Sequence, residues 1–138
     1  MPGTPPVAAL AAAGGFTIPV GAAWPRDLAL LLAWSVFEEI VFRGGVQPAL
    51  ARWSALARHG PWCGLSAANL VTSLLFVAAH LWSKAPAAAL ALLPVSLLLG
   101  ASLERSGGRL WVPVALHAYF NLALYAMSAW GATAWRAA

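Results

Sequence analysis

The residues of this 138-residue sequence with the clearest capacity for chemistry lie inside its apolar stretches. They are Glu38, Glu39, Arg43, His80, His117 and Asn121. An ionisable side chain is costly inside a membrane helix, so each one there is a functional hypothesis by default. Glutamate and histidine transfer protons, while histidine and asparagine donate hydrogen bonds to developing negative charge. The set indicates hydrolysis, in which an activated water attacks an amide carbonyl.

The two adjacent glutamates point in different directions on a helix, and we therefore expect them to have different roles. Glu39 and Arg43 are four residues apart, so on a helix they share a face and are expected to form an ion pair. Glu38 is rotated by about 100° from Glu39 and has no such partner on its own helix. We therefore expect Glu38, with His80, to hold and deprotonate the attacking water.

His117 and Asn121 are also four residues apart and share one face of a later helix. Their side chains are expected to donate hydrogen bonds to the oxyanion. In the alternative interpretation, the polar residues only join helices to one another, as asparagine, histidine and serine do in membrane bundles. A non-catalytic membrane scaffold or an immunity-type protein would use them in this way.

The composition defines the surroundings of these residues. The chain is 62% hydrophobic and 9% charged, whereas soluble domains carry about 25% charged residues. Its apolar residues form long blocks, which excludes a water-soluble globule and predicts an all-α, polytopic helical bundle in contact with membrane lipid. The net charge is +4, but the basic residues are scattered singly, so a nucleic-acid partner is not expected.

Four motif-bearing transmembrane helices are predicted at residues 27–46, 66–82, 87–103 and 110–130. Gly44, Gly45 and Pro48 are expected to end the first, and Ser66 to cap the second. Residues 47–62 are expected to contain a short interfacial helix. Residues 1–26 are expected to form an N-terminal lead-in or a weak membrane segment, and residues 27–138 the main domain. Within the first, residues 7–23 are a candidate fifth span, an interfacial segment or a loosely packed lead-in.

The depths of the two histidines conflict with a common site. His80 lies about 14 residues into its predicted span and His117 about 7 into another that runs in the same direction, which separates them by about 10 Å along straight helices. A tilt, a later helix start near Asn69, or separate roles along a substrate would account for this offset.

Three segments resemble the motifs of one protein family. They are Glu38-Glu39-Ile-Val-Phe-Arg43, Phe76-Val-Ala-Ala-His80 and His117-Ala-Tyr-Phe-Asn121. In this order, over about residues 28–130, they resemble the CPBP family of CAAX-protease and bacteriocin-processing (Abi) intramembrane endopeptidases.

The resemblance implies a glutamic-type, multi-pass protease of the bacterial inner (plasma) membrane without a cofactor. It implies that Glu38 and His80 activate water, that His117 and Asn121 form the oxyanion hole, and that Glu39 and Arg43 support the site. The implied substrate is a membrane-anchored protein or peptide. An exosortase-like sorting-tag subtype (JDVT-CTERM type) is one form of this expectation.

Two further predictions concern the same region. A zinc-dependent protease is the nearest alternative mechanism, with Glu38, His80 and His117 as metal ligands. A substrate groove between the helices is expected to be walled by aromatic side chains, for which the candidates are Trp34, Phe42, Phe76, Tyr119 and Phe120. The sequence does not define an oligomeric state.

Overall fold

A computed structural model describes residues 24–53 and 64–136 of the chain, and over these ranges it contains helices and no strand. The elements are α1 (Trp24–Glu39), a π-helical segment (Ile40–Val46), α2 (Gln47–Ala51), α3 (Ala67–His80), α4 (Pro86–Ala91), α5 (Leu93–Arg105) and α6 (Trp111–Arg136). The all-α prediction is confirmed for these residues. The candidate fifth span at 7–23 and most of the predicted interfacial helix lie outside the described residues.

The prediction that Gly44, Gly45 and Pro48 end the first helix is wrong. The chain stays helical from α1 through the π-helical segment into α2. Both glycines lie inside the π-helical segment, and Pro48 lies in the first turn of α2, where proline is well tolerated. Gly44 instead serves packing, because a Cβ atom there would lie 3.3 Å from Leu110 Cδ2.

The change of helix type keeps one polar face directed into the bundle. Ser35, Glu39, Arg43 and Gln47 are spaced by four residues, and each is at most 2% exposed. In a regular α-helix, every four-residue step turns the side chain by about 40°, so such a row drifts out of alignment. The π-helical segment has wider turns with i→i+5 hydrogen bonds, which offset this drift. The row therefore remains buried along its whole length.

Helices α3 and α5 pack closely at one point. The predicted cap of α3 is confirmed, because Ser66 Oγ accepts a hydrogen bond from the Asn69 backbone N–H at 3.0 Å. The Asn69 side chain donates from Nδ2 to Leu97 O on α5, also at 3.0 Å. A Cβ atom on Gly100 would lie 2.0 Å from Asn69 Oδ1, so only glycine fits here.

The exposed and buried residues are distributed as in a lipid-facing bundle. Exposed positions carry large apolar side chains such as Leu30, Phe37 and Leu74, while charged or polar residues such as Arg43 and Asn69 are fully buried. This is the reverse of the pattern in water-soluble domains.

One stretch of the described residues, Pro86–Arg105, is long and apolar enough to cross a membrane. It comprises α4 and α5 and corresponds to the predicted span at 87–103. The apolar helix at Ala67–His80 is shorter. The four-span topology therefore stays a prediction.

Candidate active site

A cavity of about 500 Å³ opens between the helices, and it has a polar end and apolar walls. The polar end is formed by four of the residues singled out by the sequence, Glu38, His80, His117 and Asn121. The walls are mostly leucine, valine and aromatic side chains from α1, α5 and α6. The cavity thus combines a few convergent polar groups with a mostly apolar lining, which is typical of ligand-binding sites.

The Glu38 carboxylate faces both histidines of the cavity. Its Oε1 lies 3.7 Å from His80 Nε2, and its Oε2 lies 3.8 Å from His117 Nε2. These separations are longer than a hydrogen bond. The three side chains are 10–17% exposed, so their facing atoms are accessible from the cavity.

The expected depth offset does not separate the two histidines, since both reach one carboxylate. His80 is the last residue of α3, and its Nδ1 lies 2.8 Å from Phe76 O. A carbonyl oxygen only accepts hydrogen bonds, so Nδ1 carries a proton, and in the neutral ring Nε2 presents a lone pair toward Glu38.

Glu39 lies behind the cavity and bonds two partners through one oxygen. Its Oε1 accepts from Arg43 Nη1 at 3.2 Å, which confirms the predicted ion pair, and it lies 2.8 Å from His117 Nδ1. Arg43 also donates from Nη2 to Ser96 O and Ser96 Oγ, at 2.8 and 2.7 Å, and stacks over the Phe76 ring. Glu39 and Arg43 thereby connect His117 to α5.

Asn121 is held by a residue that the sequence analysis did not select. Asn121 Nδ2 donates to Ser35 Oγ at 2.7 Å, and Ser35 Oγ donates to Leu31 O at 2.9 Å. Ser35 is 1% exposed. A signal for it was present in the sequence, because it lies four residues before Glu39 and so shares its helix face.

Comparison with known families gives the site a context. A family model described as "Type II CAAX prenyl endopeptidase Rce1-like" matches residues 20–123. The chain belongs to this family. All three motif segments lie within the matched range, and the resemblance to the CPBP family is confirmed. Comparisons with curated proteins and with solved structures gave no match.

Membership in the CAAX prenyl endopeptidase family establishes the general class of the protein. The family comprises membrane proteases, so the chain is a membrane-associated hydrolase of the CAAX-protease type. This class agrees with the apolar exposed surface of the described helices. It also agrees with a cavity in which a carboxylate and two imidazoles converge.

The aromatic residues predicted as groove walls of this CAAX-type protease fall into two groups. Trp34, Phe76 and Phe120 line the cavity. Phe42 packs edge-on against Phe76 with 5.1 Å between ring centroids, and it is not among the lining residues. Tyr119 is 64% exposed and also lies outside the lining. Helix rotation separates Tyr119 from its neighbour Phe120 by about 100°.

The residues proposed as zinc ligands lie at the polar end of the cavity. Within residues 24–53 and 64–136, no group of three or more histidine, cysteine, aspartate or glutamate side chains has an arrangement that could hold a metal ion.

Proposed function

We propose that this protein is a glutamic-type intramembrane endopeptidase, in which Glu38 and His80 activate the water that cleaves a peptide bond. The observation that carries the proposal is the convergence of Glu38, His80 and His117 at the polar end of a cavity whose walls are mostly apolar. Family membership supports a protease in general, and this cluster supplies the residues for its chemistry.

In the first step, a water donates one hydrogen bond to Glu38 and one to the lone pair of His80 Nε2. Glu38 takes a proton as the water oxygen forms a bond to the carbonyl carbon. When the tetrahedral intermediate collapses, the C–N bond breaks and the same proton passes to the leaving nitrogen. Glu38 is then ionised again, so atoms and charges balance over the cycle.

Asn121 and His117 supply hydrogen-bond donors for the oxyanion. One N–H of the Asn121 amide is used by Ser35, which leaves the other for the substrate. Nδ1 of His117 donates to the Glu39 carboxylate, so donation from Nε2 requires the doubly protonated ring. These donors act where negative charge develops in the transition state.

The proposed substrate is a membrane-associated protein or peptide, cut close to its anchor. The apolar cavity walls suit a chain that enters from lipid, and the name of the family points to prenylated C-terminal peptides. We further propose that four helices cross the bacterial inner membrane, with Pro86–Arg105 as the clearest of them.

The proposal is tested with purified protein in proteoliposomes and a fluorescence-quenched CAAX-type peptide, either farnesylated or unmodified. Glu38→Gln and His80→Ala should each lower kcat by about 10³-fold. Asp27→Asn, three helical turns from Glu38, is the matched control and should retain wild-type kcat. Glu38→Gln protein that is folded and fully active would refute the mechanism.

Two further arms separate the alternative functions. If chelation removes the activity and zinc restores it, the zinc-dependent mechanism replaces the glutamic one. If the folded wild-type protein cleaves neither peptide, and Glu38→Gln and His80→Ala leave processing of membrane proteins in cells unchanged, the scaffold interpretation replaces the protease.

A further inference from the structure

Helices α1 and α6 are joined by two polar contacts in a regular register. Glu39 bonds His117 at 2.8 Å, and one helical turn away Ser35 bonds Asn121 at 2.7 Å. The position number rises along α1 as it falls along α6, so the two helices are aligned antiparallel. Each of the two polar α6 residues at the cavity, His117 and Asn121, is therefore bonded from behind by one buried α1 residue.

Ser35 selects one of the two orientations of the Asn121 amide. The Ser35 hydroxyl hydrogen is donated to Leu31 O, so its oxygen acts toward Asn121 as an acceptor. The Nδ2 end of the amide is consequently bound at Ser35. With the amide flipped, two oxygens would face each other at the buried Ser35, unless the hydroxyl gave up its bond to Leu31 O.

From this geometry we infer that Ser35 is a positioning residue, which holds the Asn121 amide so that its second N–H is presented to the substrate carbonyl. The inference rests on the proposed function of Asn121 as an oxyanion donor. Ser35 is buried beside the cavity and is not among the residues that line it. It therefore acts through Asn121 and not by touching the substrate.

The chain offers a matched control for the loss of a buried serine. Ser73 on α3 is fully buried, and its hydroxyl donates to Asn69 Oδ1 at 3.2 Å, away from the cavity. Ser73→Ala thus removes a serine hydroxyl that is as buried as that of Ser35 and that also bonds an asparagine side chain. Ser35→Thr keeps a hydroxyl that can still bond the carbonyl of Leu31, four residues earlier.

In the proteoliposome assay, Ser35→Ala should lower kcat by about 10- to 100-fold with little change in KM. A misplaced donor forms a poorer hydrogen bond to the oxyanion and so stabilises the transition state less. Ser35→Thr should recover most of kcat, and Ser73→Ala should retain it. In an Asn121→Ala background, Ser35→Ala should cause no further loss. Unchanged kcat in Ser35→Ala, or losses that multiply in the double variant, would overturn the inference.

A second measurement does not require activity. The side-chain amide of Asn121, observed by NMR in micelles, should exchange its hydrogens with water faster in Ser35→Ala than in wild type or Ser73→Ala. Equal exchange rates would overturn the inference even if no substrate is cleaved. Conversely, if Glu38→Gln is fully active while the exchange rates change as expected, the proposed function fails and the Ser35–Asn121 contact stands.

Discussion

Two groups of polar side chains lie on the described helices, and they differ in whether their members form direct hydrogen bonds to one another. The site cluster comprises Glu38, His80, His117 and Asn121, and it opens into the cavity. The closed cluster comprises Gln47, Ser66, Asn69, Ser73 and Glu104, whose members are joined by direct hydrogen bonds.

In the closed cluster, the Glu104 carboxylate accepts from Ser66 Oγ and from Gln47 Nε2, the latter at 2.9 Å. In the site cluster, the Glu38 carboxylate stands 3.7 and 3.8 Å from its two histidines. Both clusters place polar atoms inside an apolar bundle. The comparison teaches that burial does not separate the two clusters. The proposed site differs in that its polar atoms line the cavity of about 500 Å³ and are not directly hydrogen-bonded to one another.

Arg43 provides the largest expected effect, because it is the buried cation that supports the site cluster from behind. Arg43→Ala should lower the free energy of unfolding by about 3–5 kcal/mol, since it leaves the Glu39 carboxylate buried without its cation. Denaturant unfolding in detergent, followed by tryptophan fluorescence, measures this change.

Arg52→Ala is the control for removing an arginine, because Arg52 is exposed just after α2. Its unfolding free energy should stay within about 0.5 kcal/mol of wild type. If Arg43→Ala were as stable as Arg52→Ala, the ion pair would not hold the site together.

Gly100 tests the closed cluster at its point of closest packing. In Gly100→Ala, the new Cβ atom would displace the Asn69 side chain and break its bonds to Leu97 O and Ser73. The expected loss is about 2–4 kcal/mol of unfolding free energy, with kcat of the folded fraction retained.

Gly45→Ala is the matched control, since a Cβ atom there would meet its nearest neighbour, Ile40 O, at 3.7 Å. It should be neutral or slightly stabilising, because alanine favours a helix more than glycine does. A loss of kcat in folded Gly100→Ala protein, with stability unchanged, would contradict the assignment of the closed cluster to packing.

The smallest expected effect separates two adjacent aromatic residues. Phe120 lines the cavity and Tyr119 does not. Phe120→Ala should raise KM by about 10-fold through loss of apolar contact with the substrate, whereas Tyr119→Ala should leave KM nearly unchanged. Steady-state kinetics with the same peptide measures both, and equal effects would show that the cavity is not the substrate groove.

Sequence reasoning predicted contacts within a single helix correctly, whereas it misplaced the end of the first helix. The i,i+4 rule predicted the Glu39–Arg43 pair, and the N-cap preference predicted Ser66, because both depend on neighbours along one helix. Gly44 and Gly45 were misread as a helix end. Their helical backbone is set by tertiary packing, including the close approach of Leu110 to Gly44.

The membrane class of the protein, the three motif segments and the separation of Glu38 from Glu39 were determined by the sequence alone. These follow from composition and from the fixed rotation per residue of a helix. The meeting of His80 and His117 at one carboxylate, and the hold of Ser35 on Asn121, were decided by the tertiary structure. Each depends on the axial position of one helix relative to another, and residue spacing within a single helix does not specify that position.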